Sequence, residues 1–198
     1  MADSGRTRPR REETRRRVLA AAFAVFGERG IAGSSLAEVA EAAGLTKGAI
    51  YSSFRSKDEL VLALMEEHAL DRLTGAIEGF DAAKDLDSSL TAVGEGLVRA
   101  IHTDAAWHRL LAEYFALSHR DPDRREGLRR RRREARAAVA RALTALAERT
   151  ELVLPLPADE LSVLMFALSN GLAVEAGIDP ECVPDDLFVR VLRLLTRP

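Results

Sequence analysis

Between Thr46 and Lys57 the chain gathers hydrogen-bond donors that do not add up to a catalytic set: hydroxyls on Thr46, Tyr51 and Ser52, and ammonium groups on Lys47 and Lys57. Two small positions, Gly48 and Ala49, let another surface come close to the backbone. Groups of this kind suit phosphate oxygens and the edges of bases, and Lys47 matches either a phosphate or a guanine edge. Neither imidazole nor thiol stands among them to act as nucleophile or base.

Two short helices must position these groups. Ser35 followed by Glu38 is a capping box, in which hydroxyl and carboxylate satisfy each other's backbone N–H at a helix start. Leu36, Val39, Ala40 and Ala43 then recur at helical spacing and face inward. Gly44 can take the left-handed conformation that ends a helix, with Leu45 pinning the turn. Thr46 caps a second helix over 47–54, in which Ile50 and Phe54 face the core and Lys47, Gly48, Tyr51 and Ser52 face outward. Ser56 and Glu59 begin another helix, with Lys57 in its first turn. Two helices across a three- or four-residue turn make a helix-turn-helix, whose second helix enters the DNA major groove. A purely structural αα-hairpin shows the same turn and caps, so spacing alone leaves both readings open.

The segment from Thr14 to about Leu64 resembles the DNA-binding domain of the TetR family of bacterial transcriptional regulators. The likeness lies in TRRRVLAAAFAVFGERG and LAEVAEAAGLTKGAIYSSFRSKDEL, where Gly44, Lys47, Gly48, Tyr51, Phe54, Lys57 and Leu60 hold the family's characteristic places. The resemblance implies that Lys47, Gly48, Ala49, Tyr51, Ser52 and Lys57 contact operator DNA, with Ser35 near a phosphate. Ser52 and Ser53 depart from the family, which often carries aromatic or imidazole side chains there. The match covers about a quarter of the chain; the rest is similar only in being helical and of the expected length.

The 198 residues are 47% hydrophobic and 5% aromatic, without alternating β-branched runs, so the expected fold is all-α. The net charge of −2 conceals an asymmetry: residues 1–60 hold 11 Lys/Arg against 8 Asp/Glu, and residues 61–198 hold 18 against 23. Only the N-terminal part is set up for phosphate. Cys182 is alone, no apolar run approaches the roughly 18 residues of a membrane span, and the N-terminus lacks a signal-peptide core. A cytoplasmic protein without a membrane partner is expected. The polar stretch MADSGRTRPR is expected to be disordered, either a solvated tail or an arm in the adjacent minor groove.

The division expected is an N-terminal arm and three-helix DNA-binding domain over 1–56, then a helical effector-binding and dimerisation domain over 57–198, about nine helices in all. The fourth helix should run over 57–79, the fifth from Asp87 or Ser88 to 103, the sixth over 104–117 and the seventh over 123–149 after a break at Pro122. The eighth, over 158–176, has hardly any polar face, and a ninth spans 185–196. Leu161, Met165, Leu168 and Leu172, with Phe188, Leu192 and Leu195, are expected to form an isologous four-helix dimer interface, the alternative being burial within one chain. The resemblance implies the same dimer.

Trp107, His108 and Tyr114 could line an effector cavity with polar anchors, and core packing explains them equally well. In the run Arg129–Arg133, five consecutive arginines cannot all share the solvent face. Arg131 or Arg132 therefore falls on or beside the apolar stripe, where its stem packs with its head in water or paired with Glu126 or Glu134, or where it anchors an anionic effector. His68, His102, His108 and His119 show no metal-ligand spacing, and no cofactor motif or catalytic constellation is present. The reading is a homodimeric DNA-binding regulator, a repressor by family habit, that releases its operator on binding a small molecule of unknown identity. A regulator or architectural protein without an effector and, remotely, a helical-bundle enzyme are the alternatives.

Overall fold

The computed structural model describes residues 7–81 and 85–196, with side chains from Glu12 onward. Nine α-helices and no strand occur among the described residues: α1 Thr7–Arg29, α2 Leu36–Ala42, α3 Lys47–Ser53, α4 Lys57–Asp81, α5 Leu86–Thr103, α6 Ala105–His119, α7 Pro122–Thr150, α8 Ala158–Ile178 and α9 Leu187–Leu195, with a 3-10 turn at Pro180–Cys182.

Two starts differ from expectation. Residues 7–10, expected to be disordered, belong to α1; Pro9 is its third residue, where the missing N–H costs no hydrogen bond. The first six residues of the expected arm lie outside the described residues. The cap of α5 is Asp85 rather than Asp87 or Ser88, its carboxylate accepting the Ser88 N–H at 2.8 Å. Asp87 is instead engaged by Arg193 through two bonds of 2.7 Å.

The helices form two compact units. The first takes the described residues through Glu67 together with Arg109–Leu128, so a single cut at residue 56 does not reproduce it. Its core is the inward stripe of α1 (Val18, Ala22, Phe26), Leu36 and Val39 of α2, Ile50 and Phe54 around α3, the start of α4 from Leu60, and Leu110, Leu111 and Tyr114 of α6. α1 packs on α2, and α2 on α3.

The second unit takes His68–His108 and the chain from Arg129 onward. Val98 and Ile101 of α5, Ala173 and Ala176 of α8, Val183 and Phe188 form its core, with Leu97, Leu172, Leu187 and Leu192 against it. α5 and α9 approach closely because Gly94 has no side chain: a Cβ there would lie 2.7 Å from the Val189 backbone nitrogen.

α8 corrects the expectation that no run is apolar enough for a membrane: its best 18-residue stretch has mean hydropathy 1.6, sufficient by length and composition alone. The helix carries acids at Asp159, Glu160 and Glu175 and is apolar on several sides between them. Leu161, Ala173 and Ala176 are buried while Val163, Leu164, Leu168, Val174 and Ile178 are exposed.

Candidate nucleic-acid interface and sensor cluster

Local chemistry fixes α3 as the sequence requires. Ser35 Oγ accepts the Glu38 N–H at 3.3 Å while the Glu38 carboxylate accepts the Ser35 N–H at 2.8 Å. The Ser35 hydroxyl, which donates to the same carboxylate at 2.8 Å, and then the Ser35 N–H hold the Glu38 carboxyl below the usual carboxylate range. Gly44 takes φ +62° after α2, and Arg17 Nη2 donates to the Ala43 carbonyl at 2.8 Å. Thr46 Oγ1 caps α3 by accepting the Ala49 N–H at 3.2 Å. Ile50 and Phe54 are sealed in the core, at 0% and 1% exposure, which leaves Lys47, Gly48, Tyr51 and Ser52 on the outer surface and Ala49 half-buried. Tyr51 is 54% exposed, an aromatic ring held away from its own core. The Ser52 hydroxyl donates to the Ala49 carbonyl at 2.7 Å, so it presents lone pairs outward.

Lys57 stands differently from the phosphate contact expected of it. Its Nζ donates to the carbonyls of Ile31 at 2.6 Å and Ser34 at 2.7 Å, with Ala32 at 3.4 Å. Glu113, which sequence reasoning passed over, accepts the N–H groups of Ile31 and Ala32, each at 2.9 Å. An acid on a helix face carries no local sign of such a role. Tyr114, for which a cavity wall and core packing were equally open, is fully buried in the first unit, where Arg124 lies over its ring at 6.0 Å and pairs with Asp58 at 2.6 Å. Burial and the Asp58 carboxylate raise the phenol's pKa, so Tyr114 is a neutral core residue.

In the second unit Trp107 and His108 belong with three residues that sequence reasoning did not place beside them, His68, Arg72 and Asp104. His68 stacks on Trp107 with centroids 3.9 Å apart, its Nε2 accepts from Arg72 Nε at 2.9 Å, and Arg72 Nη2 meets Asp104 at 2.7 Å. The spacing of His68 and Arg72, one turn apart on α4, was the available signal. His108 Nε2 is buried without a hydrogen-bond partner. Arg131 donates to Glu134 at 3.3 Å, and Arg132 lies over the Phe166 ring at 4.6 Å. These contacts match the packed-and-paired reading of the arginine run. Among the expected interface residues, Leu161 and Phe188 are buried within their own unit; Leu168 is exposed, and Met165, Leu172, Leu192 and Leu195 are half-buried.

Burial and then the Arg72 charge depress the His68 pKa from 6.5 to about 4, against the opposing pull of Asp104; burial also lowers that of His108. The unfolded imidazole of His68 takes a proton near pH 6.5 and the folded one near 4, so stability present above pH 6.5 is lost as pH falls through that window. The loss should be on the order of 2 kcal/mol after discounting for partial exposure. Urea unfolding at pH 7 and 4.5 checks this: His68→Gln should lose less stability than the parent by about that amount, and equal losses would refute the assignment.

The comparisons agree with this architecture. Residues 18–64 match the model "Bacterial regulatory proteins, tetR family", and residues 81–196 match "BetI-type transcriptional repressor, C-terminal". The HTH-type transcriptional regulator TtgR of Pseudomonas putida is 42% identical over 83 residues, 41% of this chain and 40% of that protein. The HTH-type transcriptional activator FasR of Mycolicibacterium smegmatis is 33% identical over 103 residues, 52% of this chain and 47% of that protein. The chain thus spans less than half the length of these relatives. A crystal structure of a putative TetR-family regulator from Rhodococcus superposes with TM-score 0.76 at 21% identity, covering 94% of this chain and 100% of the other. FadR from Bacillus subtilis, solved with stearoyl-CoA, gives 0.69 at 18% identity over 91% and 97%.

Proposed function

Because the chain belongs to the TetR family of bacterial regulatory proteins, we propose that it is a cytoplasmic homodimer that binds operator DNA and represses transcription until a small molecule releases it. The observation that carries the reading is the outer face of α3, where Lys47, Gly48, Tyr51 and Ser52 are exposed while Ile50 and Phe54 anchor the helix from behind. Two copies reading two half-sites account for the apolar stripe on α8, which a second copy covers rather than a lipid bilayer. The effector meets the second unit around Trp107 and His108 and must bind the two operator-spacing states unequally, since equal affinity shifts nothing. α4, which runs from Lys57 beside the helix-turn-helix past His68 and Arg72, carries the change. A regulator without an effector is the second reading, favoured by the pairing of His68, Arg72 and Asp104 among themselves.

Anisotropy of the full-length protein on DNA flanking its gene, at two salt concentrations, tests the reading. Tight, salt-dependent binding to a two-fold symmetric site is expected. Lys47→Ala and Tyr51→Ala should each weaken it by about 1–3 kcal/mol, and a phosphate contact by Lys47 should also show as a salt slope smaller by about one. Affinity no better than for random duplex, or indifferent to both substitutions, would count against it.

A further inference from the structure

We infer that Lys57 and Glu113 are positioning residues that clamp the α1–α2 turn and thereby set the helix-turn-helix for DNA, and that Lys57 does so in place of contacting a phosphate; this rests on the DNA-binding reading above. The turn from Gly30 to Ser34 is too short for its peptide groups to satisfy one another. Its only internal backbone bond among those described runs from the Ser34 N–H to the Ile31 carbonyl at 3.4 Å, beside a hydroxyl bond from Ser34 to the Gly30 carbonyl at 2.6 Å. Two side chains of opposite charge supply the rest. The Glu113 carboxylate is bidentate, one oxygen on each of the consecutive N–H groups of Ile31 and Ala32 at 2.9 Å. The Lys57 ammonium has three N–H donors, and three carbonyls of the same turn, at 2.6, 2.7 and 3.4 Å, face it.

Charge-assisted bonds of this kind are stronger than neutral ones, and withdrawing either group leaves peptide groups unmet beside a buried Ile31 and a buried Ser34. Gly30 completes the fit. It sits at φ +74°, and a Cβ would come 3.2 Å from both Glu113 carboxylate oxygens. Ser35, the cap of α2, follows the clamped turn directly, and α3 packs on α2, so the turn sets the start of α2 and through it the face that α3 presents. For Lys57 to reach a phosphate its ammonium would have to abandon these carbonyls.

The variants Glu113→Gln, Lys57→Met and Lys57→Arg in the full-length protein distinguish a clamp from a phosphate contact. Amide hydrogen exchange of the free protein reads the clamp without DNA. Glu113→Gln puts an NH2 group against one of two N–H donors, so exchange at Ile31 and Ala32 should quicken about tenfold while α5 amides stay unchanged. Unaltered exchange would overturn the assignment of Glu113 whatever the DNA result. On the symmetric duplex of the anisotropy assay, Glu113→Gln and Lys57→Met should each weaken binding about tenfold with the salt slope kept. Lys57→Arg should resemble Lys57→Met, because a planar guanidinium does not reproduce an ammonium facing three carbonyls. A slope smaller by about 0.9 in Lys57→Met, restored by Lys57→Arg, would make Lys57 a phosphate contact and overturn its part in the clamp. Failure of the parent to prefer that duplex would fall on the DNA-binding reading, with the exchange rates still deciding the clamp.

Discussion

Leu164→Glu combined with Leu168→Glu is expected to leave the protein monomeric at micromolar concentration and to weaken operator binding by roughly 100-fold or more. The two residues lie one turn apart on the exposed side of α8, continued by Val174 and Ile178, the last 78% exposed. Gly171, between Leu168 and Val174, has open space where a Cβ would be, so a facing helix can come close. A stripe of this length is more apolar than a solvated helix face and calls for cover by other protein. Two carboxylates placed there would have to be buried unpaired in a dimer, whereas in a single chain they stay in water. Helix content should therefore survive while the subunits separate. Separation removes the gain of holding two half-sites at once, which is worth roughly 100- to 10,000-fold in linked binding. Sedimentation equilibrium with circular dichroism on the same samples decides the matter. A parent that is already monomeric, or a double variant that remains dimeric, would remove α8 from the interface.

Gly94→Ala should destabilise the second unit by about 3 kcal/mol, while Gly96→Ala, two residues away on the same helix, should stabilise it by about 0.5–1 kcal/mol. A Cβ on Gly94 would lie 2.7 Å from the Val189 nitrogen and 2.9 Å from its Cα, backbone atoms that cannot swing aside as a side-chain tip can. α5 and α9 must then separate, and the Arg193–Asp87 pairing and the packing of Phe188 depend on that approach. At Gly96 a Cβ meets nothing within 4 Å, so only the helical penalty of glycine is removed. Thermal unfolding of the two single variants should shift in opposite directions; shifts of the same sign would show that α9 yields where the structure has it fixed.

What could be read from the chain was what is local. The Ser35–Glu38 box, the Thr46 cap and the positive φ of Gly44 rest on partners within four residues, and the inward side of α3, with Ile50 and Phe54 four apart, follows from helical spacing. The caps were less secure where two acids stand close together: Asp85 precedes α5 and caps it, while Asp87 lies in its first turn and is engaged by the distant Arg193. On α8 an apolar surface on several sides gives the periodicity no phase, which is why Leu161, set in the core, was expected at an interface beside the exposed Leu168. Lys57 was expected at a phosphate because its position resembles one that meets DNA. The carbonyls that engage it lie 23 to 26 residues earlier, beyond any local pattern. Tyr114 and Trp107 share α6, and spacing left a cavity wall and core packing equally open for both; the first is enclosed beside Asp58 and Arg124 and the second stacks on His68.

The carboxylate that holds the Ile31 and Ala32 amides stands 82 and 81 residues later in the chain, and the guanidinium that pairs with Asp58 stands 66 residues later. During synthesis, then, the α1–α2 turn leaves the ribosome with Lys57 alone to brace it, and waits for most of α6 before the Glu113 half of its clamp exists. Such closure gives a small helical unit the long-range contact pattern that slows folding, where an isolated helical hairpin would form from neighbours alone. A chain cut short after α4 would thus keep Lys57 but lack the Glu113 and Arg124 partners of the α1–α2 turn and of Asp58.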